Sequence, residues 1–355
     1  MPNAEDHRTP ASTSSSTFIN RRQFLAAGTT VAAVSALPAC SNPDAQTSER
    51  PAGVPVGPFD AKSTAMEVTE GLDLSGTTAF ITGCNSGLGY ETMRVLTARG
   101  ATVIGAARSE QKAADACASV DGEAIPVVCE LGELDSVAAC GTAVRALGMP
   151  LDMVILNAGI MALPELEQIN GFEKQFFVNH IGHFTLGSYL RDQVLAAPQG
   201  RFVVVSSSGH QFAPDSGIEF DNLSGERDYS PWGMYGTSKL ANGLYTMQLS
   251  RQLEGSNATA NVIHPGVINT NLGRHFPWWQ RVASKLIGWT FMKSTEAGAA
   301  TQTYVATAPA LADYSGYYFA DCNPIMPDPR MLDAAQAEKL WEVSEEIAGE
   351  YYYGA

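Results

Sequence analysis

From residue 77 onward, short apolar runs alternate with longer stretches in which apolar and polar positions recur at helical spacing. The first run, Thr77-Thr78-Ala79-Phe80-Ile81-Thr82, is too short for a helix and lacks the polar alternation of a half-exposed strand. It predicts a strand buried on both faces. A glycine-rich turn follows, then a segment of helical composition from Gly87 to Arg99 that Gly100 ends. The pattern then repeats. Strands are expected over Ala101–Ala106, Ile125–Val128, Leu151–Leu156, Arg201–Ser206 and Asn261–Ile263, with a last short one at Gly316–Phe319. Helices are expected over Glu110–Ser119 and Glu133–Leu147, with a long helical region between Phe172 and Leu195. Strands that alternate with helices need crossover connections, which make the sheet parallel. The expected fold class is therefore α/β, a doubly wound parallel sheet in three layers, α/β/α. In such a sheet ligands sit beyond the carboxyl ends of the strands, near the switch point.

Composition narrows the function classes. The chain has 355 residues, 45% hydrophobic and 17% charged, enough apolar material for a sizeable core. A single large domain with an N-terminal extension is expected. The 22 basic and 37 acidic residues leave a formal charge of −15. Such a field repels polyphosphate backbones, so no nucleic-acid partner is expected. Cys40, Cys84, Cys117, Cys129, Cys140 and Cys322 show neither CxxC pairs nor histidine partners, so neither a zinc site nor a disulfide scaffold is suggested.

The extension has its own pattern. After a polar, Ser- and Thr-rich start, Asn20-Arg21-Arg22-Gln23-Phe24-Leu25 leads into an uncharged stretch from Phe24 to Ala39. The stretch is shorter than the roughly 20 residues that span a bilayer. It resembles a bacterial twin-arginine (Tat) export signal. Leu37-Pro38-Ala39-Cys40 also resembles a lipobox, which implies lipid attachment and membrane anchoring at Cys40, although proline is atypical there. The plainer alternative is a tail whose arginines are incidental. The expected organisation is a signal over residues 1–40, a Pro- and Gly-rich linker over 41–71 and one folded domain over 72–355. The signal implies the Tat machinery as a partner and a place in the periplasm or cell envelope. If the signal is unused, the protein stays in the cytoplasm.

Candidate chemistry sits where the predicted strands end. Thr82-Gly83-Cys84-Asn85-Ser86-Gly87-Leu88-Gly89 joins the first strand to the first helix. Its glycines allow a tight turn and let backbone N–H groups approach a pyrophosphate at the helix N-terminus. Gly83, Asn85, Ser86, Gly87, Leu88 and Gly89 are the candidate cofactor contacts there. The second strand ends at Ala106-Ala107-Arg108, with no carboxylate to repel a 2′-phosphate. Arg108 could pair with that phosphate, which favours NADP over NAD. Tyr235 and Lys239 stand at i and i+4, on one face of a helix. A neighbouring ammonium stabilises a phenolate and lowers the tyrosine pKa, which fits Tyr235 for acid–base work.

Together these motifs resemble the short-chain dehydrogenase/reductase family and its retinol dehydrogenase-like branch, from about Leu72 to Ser344. The TGxxxGxG spacing, the YxxxK pair, and the carboxyl-terminal segments Ser315–Cys322 and Leu340–Ser344 carry the likeness. The resemblance implies a Rossmann fold and a nicotinamide cofactor. It places Glu130 and Leu131 near the adenine, where the family usually has Asp-Leu, and matches Asn157-Ala158-Gly159 to the turn after the fourth strand. It implies a catalytic tetrad of Asn179, Ser207, Tyr235 and Lys239, with Asn179 holding a water that links the lysine to bulk solvent. Ser207 is assigned the substrate oxygen, with Ser206 the runner-up and Ser208 the third choice. Pro265, Val267 and Thr270 match the segment beside the nicotinamide, and Tyr235 and Lys239 also count among the cofactor contacts. Homo-oligomers are the family habit. The loop from His210 to Trp232 is longer than in typical members.

The substrate is less legible. His275-Phe276-Pro277-Trp278-Trp279 and Leu286–Met292 read as an apolar lid, which implies a small apolar carbonyl or alcohol substrate. A core-facing helix and a membrane-touching face are the alternatives. His180 and His183 read as helix-packing residues, and no metal site is expected. Two functions are carried forward: an NADP-dependent oxidoreductase, and an exported cofactor-binding sensor or assembly protein without turnover.

Overall fold

The computed structural model describes residues 50–266 and 293–354. The export signal, Cys40, Val267, Thr270 and the expected lid around Trp278 and Trp279 lie outside the described residues.

Each buried run forms a strand: β1 Thr78–Thr82, β2 Thr102–Ala107, β3 Ala124–Val128 and β4 Met153–Leu156, then the hairpin β5 Gln168–Ile169 and β6 Phe172–Glu173. They are followed by β7 Gly200–Val205, β8 Ala258–His264, β9 Tyr318–Ala320 and β10 Asn323–Ile325. The main sheet runs β10-β9-β8-β7-β4-β1-β2-β3 and is parallel except for β10 at its edge. The order reverses at β1, which pairs with β2 on one side and β4 on the other. This opens a crevice at the carboxyl ends of β1 and β4.

Alternate strand residues feed opposite faces. Ile81, Val103, Ile155, Val203 and Ile263 face one layer, with the helices Gly87–Ala98, Glu110–Ala118 and Thr295–Thr307. Phe80, Ile104, Val154, Phe202 and Val204 face the other, with the helices Leu134–Ala146 and Gly182–Ala196. The helix Pro231–Gln252 completes that layer and packs against the last helix, Ala334–Ala348. The expected three-layer α/β/α arrangement is what the structure shows. Among the described residues no helix is long and apolar enough to cross a membrane.

Two expectations need correction. The segment expected as linker up to residue 71 is part of the fold from Val54 onward. Thr64 and Glu67 form a capping box on the short helix Ala65–Val68, and Val54, Ala65 and Val68 are buried. Phe59 packs edge-on against Tyr304, and its carbonyl accepts from Asn323 Nδ2 at 2.8 Å. Proline-rich composition hides these apolar anchors. The long helix expected from Phe172 instead begins at Lys174, because Ile169-Asn170-Gly171-Phe172 turns a hairpin. Asn170 and Gly171 take left-handed φ values of 52° and 83°, as a two-residue primed turn requires.

Candidate active site

The crevice is built from the glycine turn outward. Gly83 and Gly87 have φ of +74° and +58°, a region that favours glycine. A Cβ on Gly89 would run into the Gly83 carbonyl and stand 2.6 Å from Asn157 Nδ2. Glycine is therefore required for the helix to approach the turn. Ser86 caps this helix without a side-chain hydrogen bond, which leaves the first N–H groups of Gly87–Ala98 without a side-chain acceptor from the cap. Such a terminus suits an anion. Thr82 Oγ1 accepts from the N–H groups of Asn157 and Ala158 at 2.9 and 3.0 Å, and Asn157 Nδ2 donates to the Thr82 carbonyl at 2.8 Å. Asn157 thus clamps β4 to β1. Asn85 and Ser86 lie in the same turn, and Leu88 is in the first turn of the helix.

Arg108 is exposed just past the end of β2 and makes no ion pair among the described residues. Glu130 Oε1 accepts from the Gly132 N–H at 3.3 Å, and Leu131 is buried. Pro265 follows β8, beyond His264.

The helix Pro231–Gln252 delivers Tyr235 and Lys239, both buried. The Lys239 ammonium donates to the Val205 carbonyl at 3.0 Å and lies 5.9 Å from the centre of the Tyr235 ring. Tyr235 and Ser207 adjoin one another: the Cβ position of Gly209 lies 2.6 Å from Tyr235 Cε1 and 3.3 Å from Ser207 Oγ. The serine alternatives separate on geometry: Ser206 Oγ donates to the Lys239 carbonyl at 2.7 Å and is consumed in packing, while Ser208 enters a 3₁₀ turn. Ser207 Oγ accepts from the Gly209 N–H at 3.0 Å and stays beside the phenol. Gly209 is needed there, because a Cβ on it would stand 2.6 Å from Tyr235 Cε1. Gly159 brings the remaining member close: its Cβ position lies 3.1 Å from Asn179 Oδ1 and 3.5 Å from Lys239 Nζ. The four expected tetrad residues therefore meet at the carboxyl ends of β4 and β7.

The expected effect of Lys239 on Tyr235 is overturned. Burial pushes the phenol up to about 12, and the neighbouring Ser207 hydroxyl only partly opposes it. Burial also pushes Lys239 down to about 8. The ammonium is directed at a strand carbonyl rather than at the phenol oxygen. Burial thus favours the protonated phenol at neutral pH.

Asn179 sits in a π-turn, Phe177–Ile181, between helical segments. Its Oδ1 accepts from the Ile160 N–H at 2.8 Å, and its Nδ2 donates to the Ile160 carbonyl and to Ser238 Oγ, each at 2.9 Å. Its backbone carbonyl accepts from His183 Nδ1 at 3.0 Å, and His183 Nε2 meets Thr82 Oγ1 at 2.9 Å. Thr82 Oγ1 already accepts two N–H groups, so its own proton goes to Nε2 and the imidazole proton sits on Nδ1. Burial holds His183 down to about 3, so it is neutral at any working pH. His183, expected only to pack, joins Asn179 to the first residue of the glycine turn. His180 does pack, among Phe176, Phe184 and Tyr245, and bonds Ser344 Oγ at 2.8 Å.

A second support stands behind Ser207. His210 Nδ1 donates to the Ser207 carbonyl at 2.6 Å, and its Nε2 lies 3.5 Å from Asp328 Oδ2. Arg330 grips Asp328 through Nε and Nη2 at 2.9 and 2.7 Å and donates to the carbonyls of Ala213 and Pro214. The carboxyl-terminal segment thereby staples the long loop that carries Ser207. No local motif marks this contact.

Residues 77–280 match the family model described as short chain dehydrogenase. The chain belongs to the short-chain dehydrogenase family. Retinol dehydrogenase 14 of Homo sapiens is 38% identical over 296 residues, covering 78% of this chain and 87% of that protein. Short-chain dehydrogenase TIC 32 A, chloroplastic, of Brassica napus is 40% identical over 298 residues, covering 81% and 93%. The crystal structure of an uncharacterized protein from Mycobacterium Paratuberculosis superposes with a TM-score of 0.65 at 32% identity, covering 81% of this chain and 97% of that one. The protein is thus an oxidoreductase of a family whose fold binds NAD(P) and whose chemistry interconverts carbonyls and alcohols.

Proposed function

We propose that this short-chain dehydrogenase is an NADP-dependent reductase of small apolar carbonyl compounds, with Tyr235 as the proton donor. The observation that carries the reading is the buried Tyr235 phenol beside Ser207, with Lys239 and Asn179 at the same crevice as the glycine turn. The bound nicotinamide supplies or accepts the hydride. Ser207 holds the substrate oxygen against the phenol, which gives up its proton as that oxygen becomes an alkoxide. The Lys239 ammonium, 5.9 Å from the centre of the ring, offsets the negative charge left on the phenolate, and Asn179, fixed by four hydrogen bonds, keeps the crevice wall in place. Alcohol oxidation uses the same groups in reverse, against the raised phenol pKa. The aromatic pair Phe212 and Trp232, 43% and 40% exposed with rings 5.5 Å apart, adjoins Tyr235 and favours an apolar substrate.

Arg108 is the residue for NADP, because an exposed guanidinium that makes no ion pair among the described residues suits a 2′-phosphate. Export through the twin-arginine route places the enzyme in the cell envelope, with lipid at Cys40 as its anchor. The test is titration of NADPH and NADH into protein purified from cells, followed by turnover of a panel of aldehydes and ketones, with the N-terminus read by mass spectrometry. Tighter binding of NADPH, reduction of apolar carbonyls and a chain trimmed before residue 41 support the reading. Cofactor binding without turnover of any carbonyl favours the sensor alternative, and equal affinity for the two cofactors overturns the role of Arg108.

A further inference from the structure

Three sulfur atoms crowd one point of the sheet beneath the glycine turn. Gly105 of β2 pairs with Ile81 of β1, and a Cβ on Gly105 would stand 2.8 Å from Cys117 Sγ, 3.1 Å from Cys84 Sγ and 3.1 Å from Met93 Sδ. Glycine at this strand position makes the room. Cys84 follows Gly83 in the turn itself. Cys117 belongs to the helix Glu110–Ala118, which follows the end of β2 where Arg108 stands. Both side chains are buried, both sulfurs face the same Gly105 Cβ position within 3.1 Å, and the Cys117 thiol donates to Met93 Sδ at 4.0 Å. The two walls of the adenosine half of the crevice therefore meet through a pair of thiols.

We propose that Cys84 and Cys117 form a disulfide when the protein meets a peroxide, and that this bond deforms the glycine turn and weakens NAD(P) binding. The Cys117 sulfur attacks one peroxide oxygen. The S–O bond forms as the O–O bond breaks, and one water leaves with the thiol proton. The Cys84 sulfur then attacks the sulfenic sulfur. The S–S bond forms, the S–O bond breaks, and the departing hydroxide takes the Cys84 proton as a second water. Two thiols lose two electrons, and one peroxide becomes two waters. The order follows from the surroundings. Cys117 is the more accessible of the two, 6% exposed against 0% for Cys84, and its contact with the Cys84 thiol and the Gly105 backbone holds it below the usual thiol range, whereas the same contact and burial push Cys84 up. The thiolate is the nucleophile. Peroxide is also small enough to reach a pair closed to a protein disulfide carrier.

Forming the bond draws the sulfurs from their separate places around Gly105 to about 2.05 Å. The turn has little slack, since the Cys84 N–H is tied to the Ala106 carbonyl at 3.1 Å and Gly89 is pressed against Gly83. The movement passes into the backbone that faces the pyrophosphate. The inference rests on the family's NAD(P) site and not on the role of Tyr235.

The test exposes the reduced, purified chain to hydrogen peroxide, alkylates the remaining thiols and maps disulfides by mass spectrometry, with NADPH affinity measured before and after. A second thiol contact, Cys129 with Cys140, is mapped separately. The expected result is a Cys84–Cys117 linked peptide, affinity lower by on the order of tenfold, and recovery with dithiothreitol. Cys117→Ser keeps its affinity after peroxide, and Cys84→Ala halts at a sulfenic acid on Cys117 that dimedone traps. Cys84 and Cys117 both remaining alkylatable, a linkage at Cys129–Cys140 alone, or linked protein with unchanged affinity overturns the proposal. A reduced protein that binds no NADPH counts against the reductase reading, while the peptide map still decides the disulfide.

Discussion

Lys239→Met should make the protein more stable and inactive. The ammonium is buried and makes one hydrogen bond, to the Val205 carbonyl, which also accepts from Asn242 Nδ2 at 3.3 Å. Burial lowers its pKa from 10.5 to about 8. Each tenfold loss of proton affinity corresponds to about 1.4 kcal/mol, so holding the charge costs the native state roughly 3 kcal/mol at neutral pH. Losing this charge-assisted hydrogen bond gives back about 1.5–3 kcal/mol. The net gain expected for methionine is about 0–1.5 kcal/mol, a rise of up to a few degrees in Tm. The pH dependence identifies the cause. Below pH 8 the lysine is protonated in both states and the cost is fully present. Between pH 8 and 10.5 the unfolded chain binds more protons than the native one, so wild-type stability rises with pH and the cost fades. The advantage of the variant should therefore shrink over this window. The assay is urea unfolding of both proteins at pH 7 and at intervals up to pH 10.5. A variant less stable than wild type at pH 7, or a difference that does not change with pH, refutes the reasoning.

Three further substitutions test separate parts of the site. His183→Phe leaves the Asn179 carbonyl and the Thr82 hydroxyl without their partner, at about 1–3 kcal/mol each; thermal unfolding should show the loss, and an unchanged Tm would remove His183 from the account. Gly209→Ala drives a methyl group against the Tyr235 ring. Overpacking of this kind costs about 1–3 kcal/mol, and kcat should fall with NADPH affinity unchanged, as single-turnover kinetics and titration would report. Arg108→Ala should weaken NADPH on the order of tenfold while sparing NADH, since a charge-assisted hydrogen bond contributes about 1.5–3 kcal/mol; an equal effect on both cofactors counts against a 2′-phosphate contact.

The centre of the sheet is legible in the sequence because β1, β2, β4, β7 and β8 are buried on both faces and read as unbroken apolar runs, bounded to within two or three residues; the half-exposed β3 is found as well, and the edge strand β10 is not. The tetrad is legible because its members lie in short local patterns, and the structure brings Asn179, Ser207, Tyr235 and Lys239 to one crevice. What local pattern does not reach is long-range. His183 acquires its role from Thr82, 101 residues away, and His210 acquires its own from Asp328 across the carboxyl-terminal segment. The choice of Ser207 over Ser206 needs the Lys239 carbonyl in place. The direction in which the Tyr235 pKa moves escapes the sequence, because spacing gives proximity to Lys239 but neither the depth of burial nor the aim of the ammonium. Two features that depart from the expected organisation do carry local signals. Asn170-Gly171 is a hairpin turn, and Val54, Phe59 and Val68 are apolar anchors within a proline-rich segment.

The most direct test of the central claim is the rate of NADPH-dependent reduction of an apolar aldehyde by wild type and by Tyr235→Phe, with NADPH affinity measured on both. Removing the proton donor should lower kcat by about 10²–10⁴, with cofactor affinity and Tm nearly unchanged. Equal rates for the two proteins would contradict the assignment of Tyr235.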